Sequence, residues 1–132
     1  MHLIVDGYSR SKSLLEDESF LHDLLQTYPA KIGMTRISKP FVLRYEEGGP
    51  EEWGISGFVF LAESHVSVHT FAQRNYVNID VFSCKDFDTN TAIEDLRTRF
   101  LLSQLRTCVI DREWSGEEAV GAARPTFAHH GQ

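Results

Sequence analysis

The sequence predicts an α+β fold, a two-layer α/β sandwich with a mainly antiparallel sheet and two helices on one face. The chain has 132 residues, 42% of them hydrophobic and 24% charged, which suits one globular domain. Its strand-like segments alternate apolar and polar residues, a pattern typical of an antiparallel sheet with one buried face. Two other segments repeat apolar residues at the 3.6-residue period of an amphipathic helix. The predicted order is β-α-β-β-β-β-α-β.

The N-terminal part of the chain supplies the first strand and the first helix. Residues 2–7 form a short apolar segment that predicts a strand. The helical pattern that follows ends at Pro29 and Gly33. Its start has two candidates: a capping box at residues 13–16, or Asp17 as the N-cap.

The middle of the chain is rich in strand signals. Residues 34–45 are consistent with a strand interrupted at Pro40, and an acidic, glycine-containing loop follows at residues 46–52. Three further strands are predicted with short breaks between them: Ile55 to Ala62, His65 to Phe71 and Tyr76 to Cys84. The second and third of these alternate cleanly, which predicts one face against a helical layer.

The C-terminal part predicts a second helix, a last strand and a tail. The helix extends from about Thr91 to Arg106 and opens with a capping box between Thr91 and Glu94. Residues 108–114 return as a strand. We therefore expect a single domain at residues 1–114 and a flexible C-terminal tail at residues 115–132, where Gly, Ala, Pro and paired histidines occur.

Charge and composition exclude several classes of function. Thirteen basic and 19 acidic residues give a net charge of −6, which disfavours nucleic acid and anionic membranes as partners. The same balance is compatible with a cationic small molecule. The longest apolar segment, residues 55–62, is too short to cross a bilayer, and the N-terminus lacks the basic region of a signal peptide. Cys84 and Cys108 are therefore expected to be reduced thiols in a cytoplasmic protein.

One constellation in the middle of the chain carries chemistry. The stretch from Leu61 to Phe71 contains the string alanine-glutamate-serine-histidine and then histidine-threonine, and the next strand ends in Cys84. Together with Gly54-Ile55-Ser56-Gly57 and the histidine-leucine-isoleucine at the start, it resembles the prokaryotic S-adenosylmethionine decarboxylase proenzymes. The resemblance covers residues 2–114, with gaps.

This resemblance implies a self-processing enzyme whose cofactor comes from its own backbone. Ser64 would attack the carbonyl of Glu63, and the resulting ester would break to leave a β chain (1–63) and an α chain (64–132). The α chain would begin with a pyruvoyl group made from Ser64. That group forms a Schiff base with the substrate amine and acts as an electron sink for decarboxylation, without a metal.

The family also implies roles for three further residues. His69 would be the proton acceptor in processing, and Ser56 would assist it. Cys84 would be the proton donor in decarboxylation. The active sites of this family lie at or near a subunit interface, so the expected assembly is a homodimer of cleaved protomers. The implied product is decarboxylated S-adenosylmethionine, the aminopropyl donor for spermidine biosynthesis.

The residues after His69 depart from the family pattern and leave the substrate open. The family continues with tryptophan-proline-glutamate, whereas this chain has Phe71-Ala72-Gln73. The family's glutamate binds the ribose of the adenosyl group, and the neutral Gln73 accepts through one oxygen only. Phe41 or Trp53 is the candidate for stacking on adenine. The alternatives are a pyruvoyl-dependent decarboxylase of ornithine or arginine, and an unprocessed, non-catalytic partner protein.

Strand geometry limits two arrangements. The pair His65 and His69 invites a metal site with Asp80 or Cys84, but a strand separates these two histidines by about 13 Å. We therefore expect no metal. In a straight strand Ser64 and His69 would be about 16 Å apart, so they meet only if the chain bends.

Overall fold

The computed structural model describes residues 1–114 and 126–131, which form a sheet with helices on one face. The elements, in chain order, are β1 (His2–Ser9), α1 (Lys12–Leu15), α2 (Glu18–Lys31), β2 (Phe41–Tyr45), β3 (Gly54–Leu61), β4 (Ser64–Phe71), β5 (Tyr76–Phe82), α3 (Thr89–Arg99), β6 (Leu102–Ile110) and β7 (Ala128–Gly131). The sheet order is β2-β3-β4-β5-β1-β6-β7, and each of these neighbouring pairs is antiparallel. The predicted α+β sandwich is confirmed.

The core lies between one face of the sheet and the helices. Alternate residues of the central strands point into it, including Val5 of β1, Val68 of β4 and Ile79 of β5. The helices contribute Leu21, Leu24, Leu25 and Tyr28 from α2, and Ala92 and Leu96 from α3. Gly57 of β3 lies directly beneath α2, because a Cβ at this position would lie 2.8 Å from Cδ1 of Leu25.

The opposite face of the sheet, here called the open face, is not covered by any of the described helices. Large hydrophobic side chains on it are between 37% and 62% exposed: Tyr8, Phe41, Leu43, Tyr45, Phe58 and Phe60. The strand registers place them on one side, since Phe41 is opposite Phe58 and Leu43 is opposite Ser56. The sheet therefore has one face packed in the core and one face in solvent, part of which is apolar.

The second helix, its capping box and the last strand were predicted at the wrong residues. Helix α3 begins after Asp88, whose side chain accepts a hydrogen bond from the backbone N–H of Thr91, and it ends at Arg99. Leu101 then adopts a positive φ of 54°, and the chain returns as β6, eight residues of which pair with β1. The apolar residues after Phe100 fit a helical spacing as well as an alternating one. Pairing with β1 decides in favour of the strand.

The helix over residues 18–31 has the second of its two candidate caps, since Asp17 caps α2. Three other segments differ from the sequence prediction. A separate short helix, α1, precedes α2 and is capped by Ser11. The strand expected over residues 34–45 is reduced to Phe41–Tyr45, with one isolated bridge between Arg36 and Leu61. Most of the expected tail lies outside the described residues, but Ala128–Gly131 forms the edge strand β7 instead of a loose end. None of the described helices is long and apolar enough to cross a membrane.

Candidate active site

The turn between β3 and β4 contains the proposed cleavage position. Leu61 and Ser64 are paired across the hairpin, so Ala62 and Glu63 form its two-residue connection. Glu63 has a φ of 59°, in the left-handed region. This conformation costs a non-glycine residue about 1–2 kcal/mol. The Glu63–Ser64 peptide bond therefore follows a strained residue.

Ser64, Cys84 and Glu63 form a connected cluster at this turn. Ser64 begins β4 and is 8% exposed. Its Oγ accepts a hydrogen bond from the backbone N–H of Cys84 at 3.3 Å. Cys84 follows β5, is exposed, and its Sγ donates to Oε2 of Glu63 at 3.4 Å. The structure thus brings together the proposed nucleophile, the thiol and the residue that carries the attacked carbonyl.

Ser56 and His69 form a second pair. They are direct cross-strand partners on β3 and β4, and Ser56 Oγ lies 2.7 Å from Nδ1 of His69. Both side chains belong to the open face. A hydroxyl bonded to one ring nitrogen fixes the orientation of the imidazole and leaves Nε2 available for proton transfer.

The two groups do not meet within one protomer. Ser64 and His69 lie on the same regular strand, where Ser64 is on the core side and His69 on the open face. Strand geometry separates their backbones by about 16 Å. The bend that would bring them together is absent from β4 as described.

The three proposed substrate-binding residues lie in different places. Phe41 lines a groove of about 400 Å³ on the open face, together with Ser56 and His69. Its ring stacks on Phe58, with the ring centres 5.3 Å apart. Trp53 instead lies under the guanidinium of Arg44, which is 4.3 Å from the ring centre. Only Phe41 is therefore beside the Ser56–His69 pair.

Gln73 lies in the short turn after β4, far along the strand from Ser64. Its Oε1 accepts a hydrogen bond from Nζ of Lys12 at 3.0 Å. The side chain of Gln73 has only one oxygen that can accept hydrogen bonds, and Lys12 already uses part of its capacity.

A polar cluster on the open face was missed by the sequence analysis. Asp6 accepts hydrogen bonds from Arg106 at 3.0 Å and Asn78 at 2.7 Å, and His2 lies 2.9 Å from Asp80. The hydrogen bond from Arg106 to Asp6, and the charge of that carboxylate, raise the pKa of the guanidinium. The signal in the sequence was Asp6 within an otherwise apolar strand, but its partners come from β5 and β6.

The groups around the turn are those needed to make a cofactor from the chain itself. Ser64 supplies a hydroxyl adjacent to the backbone carbonyl of Glu63, and the neighbouring thiol can exchange a proton. In the part of the chain that the structure describes, no group of three or more His, Cys, Asp or Glu residues is arranged to hold a metal ion.

Comparisons with known proteins identify the family and the fold of the chain. The family model for S-adenosylmethionine decarboxylase matches residues 1–113. An S-adenosylmethionine decarboxylase proenzyme of Synechococcus sp. strain WH7803 is 38% identical over 85 residues, which are 64% of this chain and 62% of that relative. The chain thus spans less than two thirds of that relative's length. A second proenzyme, from Archaeoglobus fulgidus, is 29% identical over 84% of this chain and 95% of its own length.

A solved structure has the same fold. The crystal structure of the adenosylmethionine decarboxylase from Aquifex aeolicus superposes with a TM-score of 0.72 and 22% sequence identity. The superposition covers 89% of this chain and 93% of the chain in that structure. By its sequence match over residues 1–113, the chain belongs to the S-adenosylmethionine decarboxylase family.

Proposed function

We propose that the protein is a self-processing, pyruvoyl-dependent decarboxylase that converts S-adenosylmethionine to decarboxylated S-adenosylmethionine and CO2. The observation that carries this proposal is the Ser64 hydroxyl at the strained Glu63 turn, in hydrogen-bond contact with the loop that bears Cys84. The product would donate aminopropyl groups for spermidine biosynthesis in the cytoplasm.

Processing begins at the turn between β3 and β4. Ser64 Oγ attacks the carbonyl carbon of Glu63, so a C–O ester bond forms as the C–N bond breaks and the nitrogen takes up a proton. A base then removes the α-proton of Ser64, and the Glu63 carboxylate leaves as the end of the β chain. The remaining dehydroalanine takes up water and releases ammonia, which leaves the pyruvoyl group. Strain at Glu63 favours the first step because the acyl shift releases the turn.

The cluster at Ser64 also suits the decarboxylation. The pyruvoyl carbonyl supplies the electron sink for the loss of CO2. The Cys84 thiol is hydrogen-bonded to Glu63, the residue that directly precedes the start of the α chain. Cys84 is therefore the proposed proton donor to the α-carbon of the product.

We further propose that His69 serves Ser64 across a homodimer interface. Ser64 and His69 are five positions apart in a regular strand, about 16 Å, so a second protomer is the simplest source of the base. The open face supports this assembly, because its exposed aromatic side chains surround the Ser56–His69 pair. Apolar surfaces of this kind mark protein interfaces.

The interface proposal has a direct test. A Ser64→Ala chain and a His69→Ala chain, each with a different tag, are produced separately and together. If the base comes from the partner, each variant alone stays intact, and the mixed dimer cleaves the chain that retains Ser64. If both chains stay intact in the mixed sample, the base does not come from the partner.

Gln73 favours one alternative substrate class. Its engagement with Lys12 leaves less capacity to bind two ribose hydroxyls, which a smaller basic amino acid such as ornithine or arginine would not need. Pyruvoyl chemistry is the same in both cases, and only the ligand differs.

The first test is a denaturing intact-mass spectrum, followed by borohydride trapping with S-adenosylmethionine, ornithine or arginine. We expect two fragments, residues 1–63 and 64–132, the second with a ketone in place of its amine. The ligand that adds mass to the second fragment, and from which CO2 is released, is the substrate. A single intact chain under conditions that permit processing would instead support a non-catalytic partner protein.

A further inference from the structure

Strand β7 lies outside the part of the chain that matches the family. The family match ends at residue 113, whereas β7 is Ala128–Gly131. It pairs with four residues in the middle of β6, from Gln104 opposite Gly131 to Thr107 opposite Ala128. β6 has nine residues and is bonded on its other side to β1. β7 therefore covers what would otherwise be the last strand of the sheet.

β7 contributes little to the core. All four of its residues are exposed. Beyond the backbone pairing, it is held by a 3.1 Å hydrogen bond between Thr107 and His130 and by Arg106, which lies 4.9 Å from the ring centre of the neighbouring Phe127. Contacts of this kind stabilise an edge strand weakly, so the benefit of β7 to core packing is small.

Without β7, the outer edge of β6 would present unpaired N–H and C=O groups. Such an edge is a template for pairing with another chain. Two β6 strands can pair antiparallel about a two-fold axis, with Leu105 of each opposite Leu105 of the other and Gln104 opposite Arg106. This register puts no like charges directly opposite each other, so side chains do not prevent it.

We propose that β7 is an intramolecular cap on β6, and that the uncovered β6 edge binds a second copy of the chain through antiparallel strand pairing. The C-terminal segment thereby limits the oligomeric state of the protein. This edge is separate from the open face and from the residues proposed for processing.

Two altered chains test the cap, each measured by light scattering after size-exclusion chromatography. The first ends at Trp114. The second keeps the full chain and carries His129→Pro with His130→Pro. In an edge strand, one of any two adjacent N–H groups donates a hydrogen bond to the neighbouring strand, so the double substitution removes a donor from the pairing with β6. The matched control carries His129→Ala with His130→Ala and keeps both N–H groups. At equal concentration, we expect the truncated chain and the proline variant to have about twice the molar mass of the full chain. The alanine control should have the same molar mass as the full chain.

Hydrogen exchange then locates the new contact. Those amides of Gln104–Thr107 that point toward β7 should exchange faster in the dilute proline variant than in the control, and should become protected again as the variant associates. A proline variant with the same mass as the alanine control would overturn the proposal, whether or not the truncated chain folds. Association that leaves exchange in β6 unchanged would overturn it as well.

Discussion

Cys84 connects the two sides of the proposed cleavage site. Its backbone N–H is bonded to Ser64 and its thiol to Glu63, so the loop after β5 holds both residues of the scissile peptide. A backbone donor is fixed by the sheet and does not depend on a rotamer. The position of the nucleophile is therefore determined by the β4–β5 pairing that brings His65 opposite Phe82.

Ser64→Ala should abolish both cleavage and decarboxylation, since the methyl group cannot receive the acyl group from Glu63. Ser13→Ala is the matched control for cleavage, because Ser13 is an exposed residue of α1 and lies outside the groove that contains Ser56 and His69. Intact mass after prolonged incubation is the measurement. Two fragments from the Ser64→Ala chain would contradict the assignment.

Cys84→Ala should separate processing from catalysis. The backbone N–H that binds Ser64 remains, so we expect cleavage into two fragments. Loss of the proton donor should reduce decarboxylation by a factor of about 10²–10⁴, measured as CO2 release from S-adenosylmethionine. A Cys84→Ala chain that stays uncleaved would show that the thiol acts in processing instead.

At the scale of elements, the turn between β3 and β4 stores strain in the uncleaved chain. Glu63→Gly relieves the left-handed φ, whereas Glu63→Ala removes the same carboxylate and keeps the strain. With Ser64→Ala in both chains, the glycine variant should be more stable to urea by about 1 kcal/mol. With Ser64 present, it should cleave about fivefold more slowly than the alanine variant. Equal cleavage rates would mean that this strain does not drive the acyl shift.

The contact of β3 with α2 depends on the missing side chain of Gly57. Gly57→Ala would place a Cβ against Leu25 and Leu21, and we expect a loss of about 1–3 kcal/mol in the free energy of unfolding. Leu25→Ala creates space at the same point, so the double variant should lose less than the sum of the two single losses. Additive losses in urea unfolding would show that the two positions do not compete for the same space.

For the whole molecule, one buried hydroxyl links the two long helices above the sheet. Tyr28 of α2 is fully buried and donates a hydrogen bond to the carbonyl of Ala92 in α3, at 3.1 Å. Burial raises the pKa of its phenol above the ordinary value of 10.0, and the negative charge of Asp95 adds to the effect. The folded protein therefore opposes ionisation of Tyr28.

This shift predicts a loss of stability in alkali. The contribution of Tyr28 is fully present below pH 10.0, and it decreases as the pH rises further, because the unfolded chain ionises first. Tyr28→Phe should cost about 0.5–1.5 kcal/mol at neutral pH through loss of the hydrogen bond. Above pH 10.0, the stability of wild type should fall more steeply than that of Tyr28→Phe in urea unfolding. Parallel pH profiles for the two chains would contradict this assignment.

The sequence alone determined the elements that repeat with a clear period. Alternation in residues 65–71 and 76–84 predicted β4 and β5, because a strand with one buried face must alternate. The spacing of Leu21, Leu24 and Tyr28 predicted α2. The motif around Ser64 also identified the family, which the match over residues 1–113 confirms.

Only the tertiary structure decided what depends on contacts between distant residues. The end of α3 and the start of β6 are set by pairing with β1, because the local pattern fits both a helix and a strand. β7 forms because β6 offers an open edge, which no local signal in residues 128–131 reveals. The separation of Ser64 from His69 and the left-handed Glu63 follow from a tight hairpin inside a regular sheet. Local pattern fixes which residues can form an element, whereas long-range pairing fixes where the element ends and which side chains it brings together.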